Sequence, residues 1–420
     1  MESFDQTLEK YGADLTAVHS FGVDAPDLLP YATLLANRRI NDSALAALTG
    51  VYEWQNTPLV FLVEYDKLTT SQALDHIRRL VAMRGDAPYV GVVRPGQLTF
   101  HRVSLDKDSA DKARIHLNIP AGEERATFPH LSNHRPGVAP EPRQWISKVV
   151  LTLLSASIEE LKSEFKVAGN DAISLVGRAL FTRFLADREL LPKTFFTGGK
   201  NDVAALFDNA HQAAKTSLWL DDTFNGDFLP VSAGLFTSLR PESFKTLGNI
   251  LRRAPGGQLN LGWEEKWENL DFAYIPVGVL SQAYEHYLRE HAPYKQRKEG
   301  GYYTPRIIAD MMVRGAFHAL RRDGVAHSAR VLDAAAGAGV FLITSFRELV
   351  SERWRHDQVR PDTKPLGTSS INRSPVSTST SPRYDSRHSG FTSYPSNWTP
   401  TQSQLRNSGS RICAVRCFTT

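Results

Sequence analysis

A run of small residues late in the chain limits the possible fold more than any other feature. Residues 330–342 read Arg-Val-Leu-Asp-Ala-Ala-Ala-Gly-Ala-Gly-Val-Phe-Leu. The pattern predicts a short buried strand that ends in an acidic residue, then a tight loop and a helix. A doubly wound α/β sheet makes room for a nucleotide-like ligand in this way at its first strand. The stretch therefore predicts the opening of such a sheet.

The chemistry of the loop leaves three interpretations open. Gly337 and Gly339 lack a Cβ and let a ligand approach the backbone. A helix that begins at Val340 directs free N–H groups and its positive end at such a ligand, and Asp333 can orient a cationic or hydroxyl group. The spacing alone is compatible with a structural Gly-Ala turn, a dinucleotide site or a site for a methyl donor.

A second motif lies upstream of the loop. Residues 301–305 read Gly-Tyr-Tyr-Thr-Pro, and an amphipathic helix follows in which Thr304 can cap and Pro305 can take the first position. Together with residues 331–342, this segment resembles the first two cofactor motifs of adenine-specific DNA methyltransferases of restriction-modification systems. The resemblance is closest to type I modification subunits and fused type II enzymes. It implies S-adenosylmethionine as the cofactor and DNA as a partner.

The resemblance also implies roles for individual residues. The methionine end of the cofactor would be lined by Tyr303, Thr304 and Pro305. Its amino-acid and ribose portions would be wrapped by Asp333, Ala335, Gly337 and Gly339, and Phe341 would close the pocket wall. The usual loop of the family reads Asp-Pro-Ala-Cys-Gly-Ser-Gly-Gly-Phe-Leu. This chain differs from that pattern at Ala334, Ala336, Ala338 and Val340.

Two further elements of the family are not found in the sequence. One is an acidic residue at the end of a second strand, which would hold the ribose hydroxyls. The other is the catalytic tetrapeptide, which is Asn, Asp or Ser followed by Pro-Pro and Tyr or Phe. No catalytic residue is therefore assigned, and the chain is expected to be an inactive fragment. The alternatives are a non-catalytic module that docks a specificity or restriction subunit, and a methyltransferase for a non-DNA substrate.

The composition changes abruptly near residue 366. The segment 366–420 contains 21 Ser and Thr, six Arg and one Asp, but neither Lys nor Glu. Because the formal charge of the whole chain is +4, the part before this segment is close to neutral, and charge alone does not indicate DNA binding. We expect the segment to be disordered and to be the product of a shifted reading frame in a truncated gene. A genuine Ser-rich tail is the alternative.

The predicted fold class is α/β with four parts before the tail. Residues 1–120 form a small α/β unit of unknown role, 121–143 a linker, and 144–262 a helical middle domain. Residues 270–360 form the N-terminal part of an incomplete Rossmann-like, S-adenosylmethionine-dependent methyltransferase domain.

Within the first unit, three strands and a helix are predicted. Pro58–Tyr65 is an apolar, β-branched run, and Tyr89–Val93 and Gln97–Val103 are strands on either side of an Arg-Pro-Gly turn. Thr69, Thr70 and Ser71 offer hydroxyls that can cap the next helix, and apolar residues at helical spacing follow them.

Other site classes receive little support from the sequence. Residues 64–67 read Glu-Tyr-Asp-Lys and end an N-terminal strand. Because Lys67 directly follows Asp66, the spacing is not the acid-x-Lys of a metal-dependent nuclease, and a solvated strand end is favoured over a nuclease. The histidines show no metal-ligand spacing, and no metal is expected. There is no apolar stretch long enough to span a membrane. Both cysteines, Cys413 and Cys417, lie in the final segment, which suggests a reducing, cytoplasmic location.

Overall fold

The computed structural model describes residues 2–35, 44–105, 110–133, 146–196, 202–224, 229–252, 267–276, 278–280, 283, 286–287, 304, 306–333 and 340–361. These residues divide into two compact units. Residues up to 149, together with 267–275, belong to the first unit, and residues 150–252 and 276–361 belong to the second.

A six-stranded sheet organises the first unit, and its strands lie side by side in the order of the sequence. They are β1 (Val18–Ser20), β2 (Leu48–Trp54), β3 (Thr57–Glu64), β4 (Tyr89–Arg94), β5 (Gln97–Arg102) and β6 (Arg114–Ile115). Neighbouring strands are antiparallel except β3 and β4, which are parallel. The three predicted strands are confirmed as β3, β4 and β5.

One helix connects the two parallel strands, as a parallel pair requires. This helix, α2 (Ser71–Arg84), begins where the side chain of Thr70 accepts a hydrogen bond from the backbone N–H of Ala73 at 3.2 Å. It ends at Gly85, whose φ of 69° is the left-handed conformation that glycine adopts at low cost. The predicted helix after Thr70 is therefore confirmed, together with its cap.

Two short helices complete the first unit. The helix α1 (Phe4–Lys10) begins with a capping box between Ser3 and Gln6. The helix α3 (Thr127–Asn133) falls within the predicted linker 121–143, and its residues Phe128 and Leu131 are buried in the core of the sheet. Two apolar residues three positions apart are too short a pattern to predict a helix in a segment rich in Pro, Gly and His.

Five helices lie in the segment predicted to be helical. They are α4 (Ile146–Ser163), α5 (Gly169–Asp187), α6 (Ala210–Thr223), α7 (Leu235–Ser238) and α8 (Pro241–Leu251). The central helix α5 carries two fully buried arginines. Arg178 donates to the backbone carbonyl of Leu229 at 2.9 Å and pairs with Asp221 at 2.8 Å. These bonds satisfy the buried guanidinium and attach α5 to the segments around it.

The helices α9 (Arg306–Arg322) and α10 (Val340–Asp357) follow in the second unit. A short 3₁₀ turn at Ala326–Ser328 and the segment 329–333 lie between them in the chain. In the described part of the chain, no helix is both long and apolar enough to cross a membrane.

Candidate functional site

Three of the eight cofactor residues implied by the sequence are described by the structure. These are Thr304, Asp333 and Phe341. The other five lie outside the described residues, namely Tyr303, Pro305, Ala335, Gly337 and Gly339. The described part of the site therefore consists mainly of the two helices that follow the two motifs.

The helices α9 and α10 run parallel to each other. The hydroxyl of Thr344 donates to Oδ1 of Asp310 at 3.0 Å, and Arg321 pairs with Glu352 at 2.6 Å. Residue numbers rise together along the two helices, so the helices point in the same direction. Consequently their N-terminal ends are neighbours.

Further ion pairs extend this contact. Glu348 accepts from Arg321 at 3.0 Å and lies 3.9 Å from Arg314. Burial raises the pKa of Glu348, and the neighbouring guanidinium groups of Arg314 and Arg321 oppose that shift. The arrangement holds a partly buried carboxylate between two cations on the facing helix, which favours one register of the helix pair.

An apolar cluster lies beneath these polar contacts. Its buried members are Val313, Phe317, Ala326 and Leu349, and Leu320, Ala329, Val331 and Phe341 pack against it. The side chain of Phe341, which the resemblance assigned to the pocket wall, is thus part of the contact between α9 and α10. Its packing fixes the first turn of α10 against α9.

The predicted opening strand is represented in the described residues by a single bridge residue, Asp333. Val331 packs on the helix pair, whereas Leu332 is 65% exposed. Alternation of this kind is what a strand with one covered face shows. The Oδ2 atom of Asp333 is buried, so a carboxylate lies at the position where the sequence predicts an orienting acid.

Chemically, the arrangement suits a small ligand that carries one negatively and one positively charged group. Two adjacent helix N-termini offer backbone N–H donors to an anionic group. The carboxylate of Asp333 can accept from an ammonium or hydroxyl group, and Thr304 lies two residues before α9. The amino-acid end of S-adenosylmethionine has a carboxylate and an ammonium group, so the described residues fit it.

Sequence reasoning missed Asp310 and Thr344. Each lies one helical turn after the first residue of its helix, and the two residues are 34 positions apart in the chain. A polar residue one turn after each motif is a signal, but nothing in the sequence indicates that the two side chains meet.

The N-terminal strand end has a different geometry. Glu64, the last residue of β3, forms an ion pair with Lys67 at 2.5 Å, and both side chains are at least one-third exposed. Arg94 at the end of β4 lies over the ring of Tyr65, with its guanidinium carbon 3.6 Å from the ring centroid. Among the described residues there is no group of three or more His, Cys, Asp or Glu that could hold a metal ion.

Comparison with known proteins identifies the class of the segment that carries both motifs. Residues 277–367 match the model of the family described as N-6 DNA Methylase. This match includes α9, the loop and α10. It confirms, for this segment, the resemblance to adenine-specific DNA methyltransferases that the sequence motifs indicated.

Comparison at the level of whole proteins gives less. No curated protein matches the chain. Among solved structures, a chain of the cryoEM structure of a DrdV–DNA complex is similar with 13% sequence identity and a TM-score of 0.26. The alignment covers 80% of the present chain and 32% of that chain, so this protein spans about a third of the length of the relative.

Proposed function

We propose that residues 277–361 are the first part of a Rossmann-like domain that transfers a methyl group from S-adenosylmethionine to the exocyclic amino group of adenine in DNA. The parental enzyme would belong to a restriction-modification system and act in the cytoplasm. The observation that carries the proposal is the parallel pair of α9 and α10. It brings together the N-terminal ends of the two helices that follow the methylase motifs, within the segment that matches the N-6 DNA methylase family.

In this proposal the chain contributes the binding of the amino-acid end of the cofactor. The backbone N–H groups at the start of α9 and α10 receive the carboxylate, and Asp333 receives the ammonium or ribose hydroxyl groups. Bound S-adenosylmethionine supplies an electrophilic methyl group on a sulfonium centre. The packing of Phe341 and Val331 against α9 keeps the N-terminal ends of α9 and α10 at a fixed separation.

Titration with S-adenosylmethionine tests the cofactor assignment. Because the described residues supply one side of a pocket, we expect binding weaker than micromolar but detectable by ligand-observed NMR. The variant Asp333→Asn should weaken it further, since the charge that faces the ammonium group is lost. An absence of any binding at millimolar cofactor would contradict the assignment.

The second part of the proposal is that the 420-residue polypeptide alone does not methylate DNA. The amino nitrogen of adenine is a poor nucleophile, and the family activates it with a tetrapeptide that contains Pro-Pro and an aromatic residue. The sequence has no Pro-Pro pair. Incubation with unmethylated DNA and methyl-labelled cofactor should give no incorporation above background, and turnover would overturn this part.

A non-catalytic docking module is the second candidate. The observation that favours it is an apolar face of α9 in which Met311 is 68% and Met312 is 55% exposed. Exposed apolar clusters often mark contact surfaces. The proposed partner is a specificity or restriction subunit. Titration of the wild type and of Met311→Glu with such a purified subunit tests the docking role. Equal affinity of the wild type and the variant for the subunit would exclude this face of α9 as the docking surface.

A further inference from the structure

We infer that Asp310 and Thr344 are positioning residues for the S-adenosylmethionine site, an inference that rests on the proposed function. Their hydrogen bond of 3.0 Å joins the first turns of α9 and α10. Each residue lies four positions after the first residue of its helix. At a rise of about 1.5 Å per residue, the bond lies about 6 Å from both helix ends. It therefore sets the offset between the two helix N-termini.

The chemistry of the pair favours this direction of the hydrogen bond. The Thr344 hydroxyl has one proton and two acceptors in reach, Oδ1 of Asp310 and the backbone carbonyl of Val340 at 2.9 Å. A carboxylate is the stronger acceptor. Thr344 is buried and Asp310 is half-buried, so water competes weakly for the bond.

The neighbouring charges make the alternative register unfavourable. If α10 slid by one turn towards its N-terminus, Glu348 would take the place of Thr344 opposite Asp310. Two carboxylates would then repel each other in a half-buried contact, while Glu352 would take the place of Glu348 beside Arg314 and Arg321, so the slide would gain no ion pair there to offset the repulsion. The order Thr344 then Glu348 on α10 thus specifies the observed register.

Phe341 connects this register to the loop. It lies in the first turn of α10, packs against the cluster that includes Val313 and Phe317 of α9, and is assigned to the wall of the cofactor pocket by the methylase resemblance. A change of offset between the helices would move the first N–H groups of α10 relative to those of α9. Two donors aimed at one carboxylate must keep their separation, so the register contact acts on binding through geometry.

The experiment compares variants of the full chain by ligand-observed NMR with S-adenosylmethionine. Thr344→Val keeps the shape and removes the donor, and we expect its dissociation constant to rise about fivefold to tenfold. Thr344→Ser keeps the donor and should stay within about twofold of wild type. Thr246→Val is the matched control, because it removes a hydrogen bond of the same kind, from buried Thr246 to the carboxylate of Glu160 at 2.8 Å, which joins α8 to α4. It should lower thermal stability by a similar amount but leave the dissociation constant within about twofold of wild type.

Equal binding by wild type and Thr344→Val would overturn the inference, because a purely structural role changes stability without changing affinity. Hydrogen exchange gives a readout that needs no ligand. In Thr344→Val we expect faster exchange of the hydrogen-bonded amides in the second turns of both helices, residues 310–313 and 344–347, and in Thr246→Val only of amides beside the contact of α8 with α4. Unchanged exchange at 310–313 and 344–347 in Thr344→Val would also overturn the inference. Absence of cofactor binding by the wild type, with the expected exchange pattern, would instead count against the proposed function.

Discussion

The backbone at Gly12, in the first unit, leaves no space for a side chain. Its φ is 84°, and a Cβ built there would lie 1.9 Å from the carbonyl oxygen of Arg125. That oxygen belongs to the segment that leads into α3, so the close approach joins the end of α1 to the helix that covers the sheet. Any side chain at position 12 would force backbone to move.

Substitution of Gly12 by Ala should therefore be severe. We expect the free energy of unfolding to fall by at least about 3 kcal/mol, from left-handed strain and overpacking together. Gly122→Ala is the matched control, because its φ is 91° and nothing lies within 4 Å of its Cβ position. The control should lose only about 1 kcal/mol. Urea unfolding measures both, and similar losses for the two variants would show that the contact with Arg125 is unimportant.

In the second unit, Arg183 is a residue at which substitution should be similarly severe. Its buried guanidinium pairs with Asp187 at 2.7 Å, donates to the carbonyl of Ile250 at 3.2 Å, and also bonds to the carbonyl of Arg252. Asp187 is itself only 5% exposed. Removal of the cation leaves a buried carboxylate, so the pair behaves as a unit.

For Arg183→Met we expect a loss of about 3–5 kcal/mol in unfolding free energy. The double variant Arg183→Met/Asp187→Leu should recover most of it, since no uncompensated charge remains. Lys162→Met, which breaks an exposed pair with Glu159 on α4, should cost less than about 1 kcal/mol. A double variant as unstable as the single one would contradict this explanation and indicate that the carbonyl bonds dominate.

At the scale of elements, β5 carries a buried histidine with a defined pH dependence. Nδ1 of His101 lies 2.8 Å from the carbonyl oxygen of Ala110 and donates to it. Burial lowers the pKa of His101 below its ordinary value of 6.5; the hydrogen bond opposes this shift, and Arg78 and Arg114 add to it. The folded state therefore favours the neutral imidazole.

The sign of the effect follows from linkage. The unfolded chain takes up a proton near pH 6.5 while folded His101 stays neutral, so the stability contributed by neutral His101 is complete above that pH and is lost as the pH falls below it. His101→Gln keeps a donor but does not titrate, and its stability should depend less on pH between 7 and about 5. Exposed His116→Gln is the control and should retain the wild-type profile. Thermal denaturation across this range distinguishes the two.

The elements differ in how far the sequence could predict them. Local patterns were sufficient for β3, α2, β4 and β5, because each has its own apolar period and its own cap or turn. The strand β2 contains Gly50 in a bulged register with β3 and has no such period. In the described residues, the predicted opening strand is a single bridge residue, Asp333. A strand forms only where a neighbouring strand pairs with it, and its own residues do not reveal that partner. The parallel register of α9 and α10 depends on side chains distant in the chain, which a single sequence does not reveal.

At the scale of the whole molecule, the division into two units has a measurable consequence. Each unit has its own buried residues and its own residue at which we expect substitution to be severe, half-buried Gly12 in the first unit and buried Arg183 in the second. We expect calorimetry to show two unfolding transitions. Gly12→Ala should lower one of them and Arg183→Met the other. If both variants lowered one common transition, the two units would unfold as a single cooperative block.

The order of the strands also affects how the chain acquires its structure over time. Each strand from β2 to β6 pairs with the strand that precedes it in the sequence. The connections from Ser20 to Leu48 and from Glu64 to Tyr89 are the longest to close, and no pairing has to wait for a strand from later in the chain. Domains fold as units during synthesis, starting from the N-terminus. The sheet can thus form on the ribosome before α5 has been translated, so the two units need not acquire their structure at the same time.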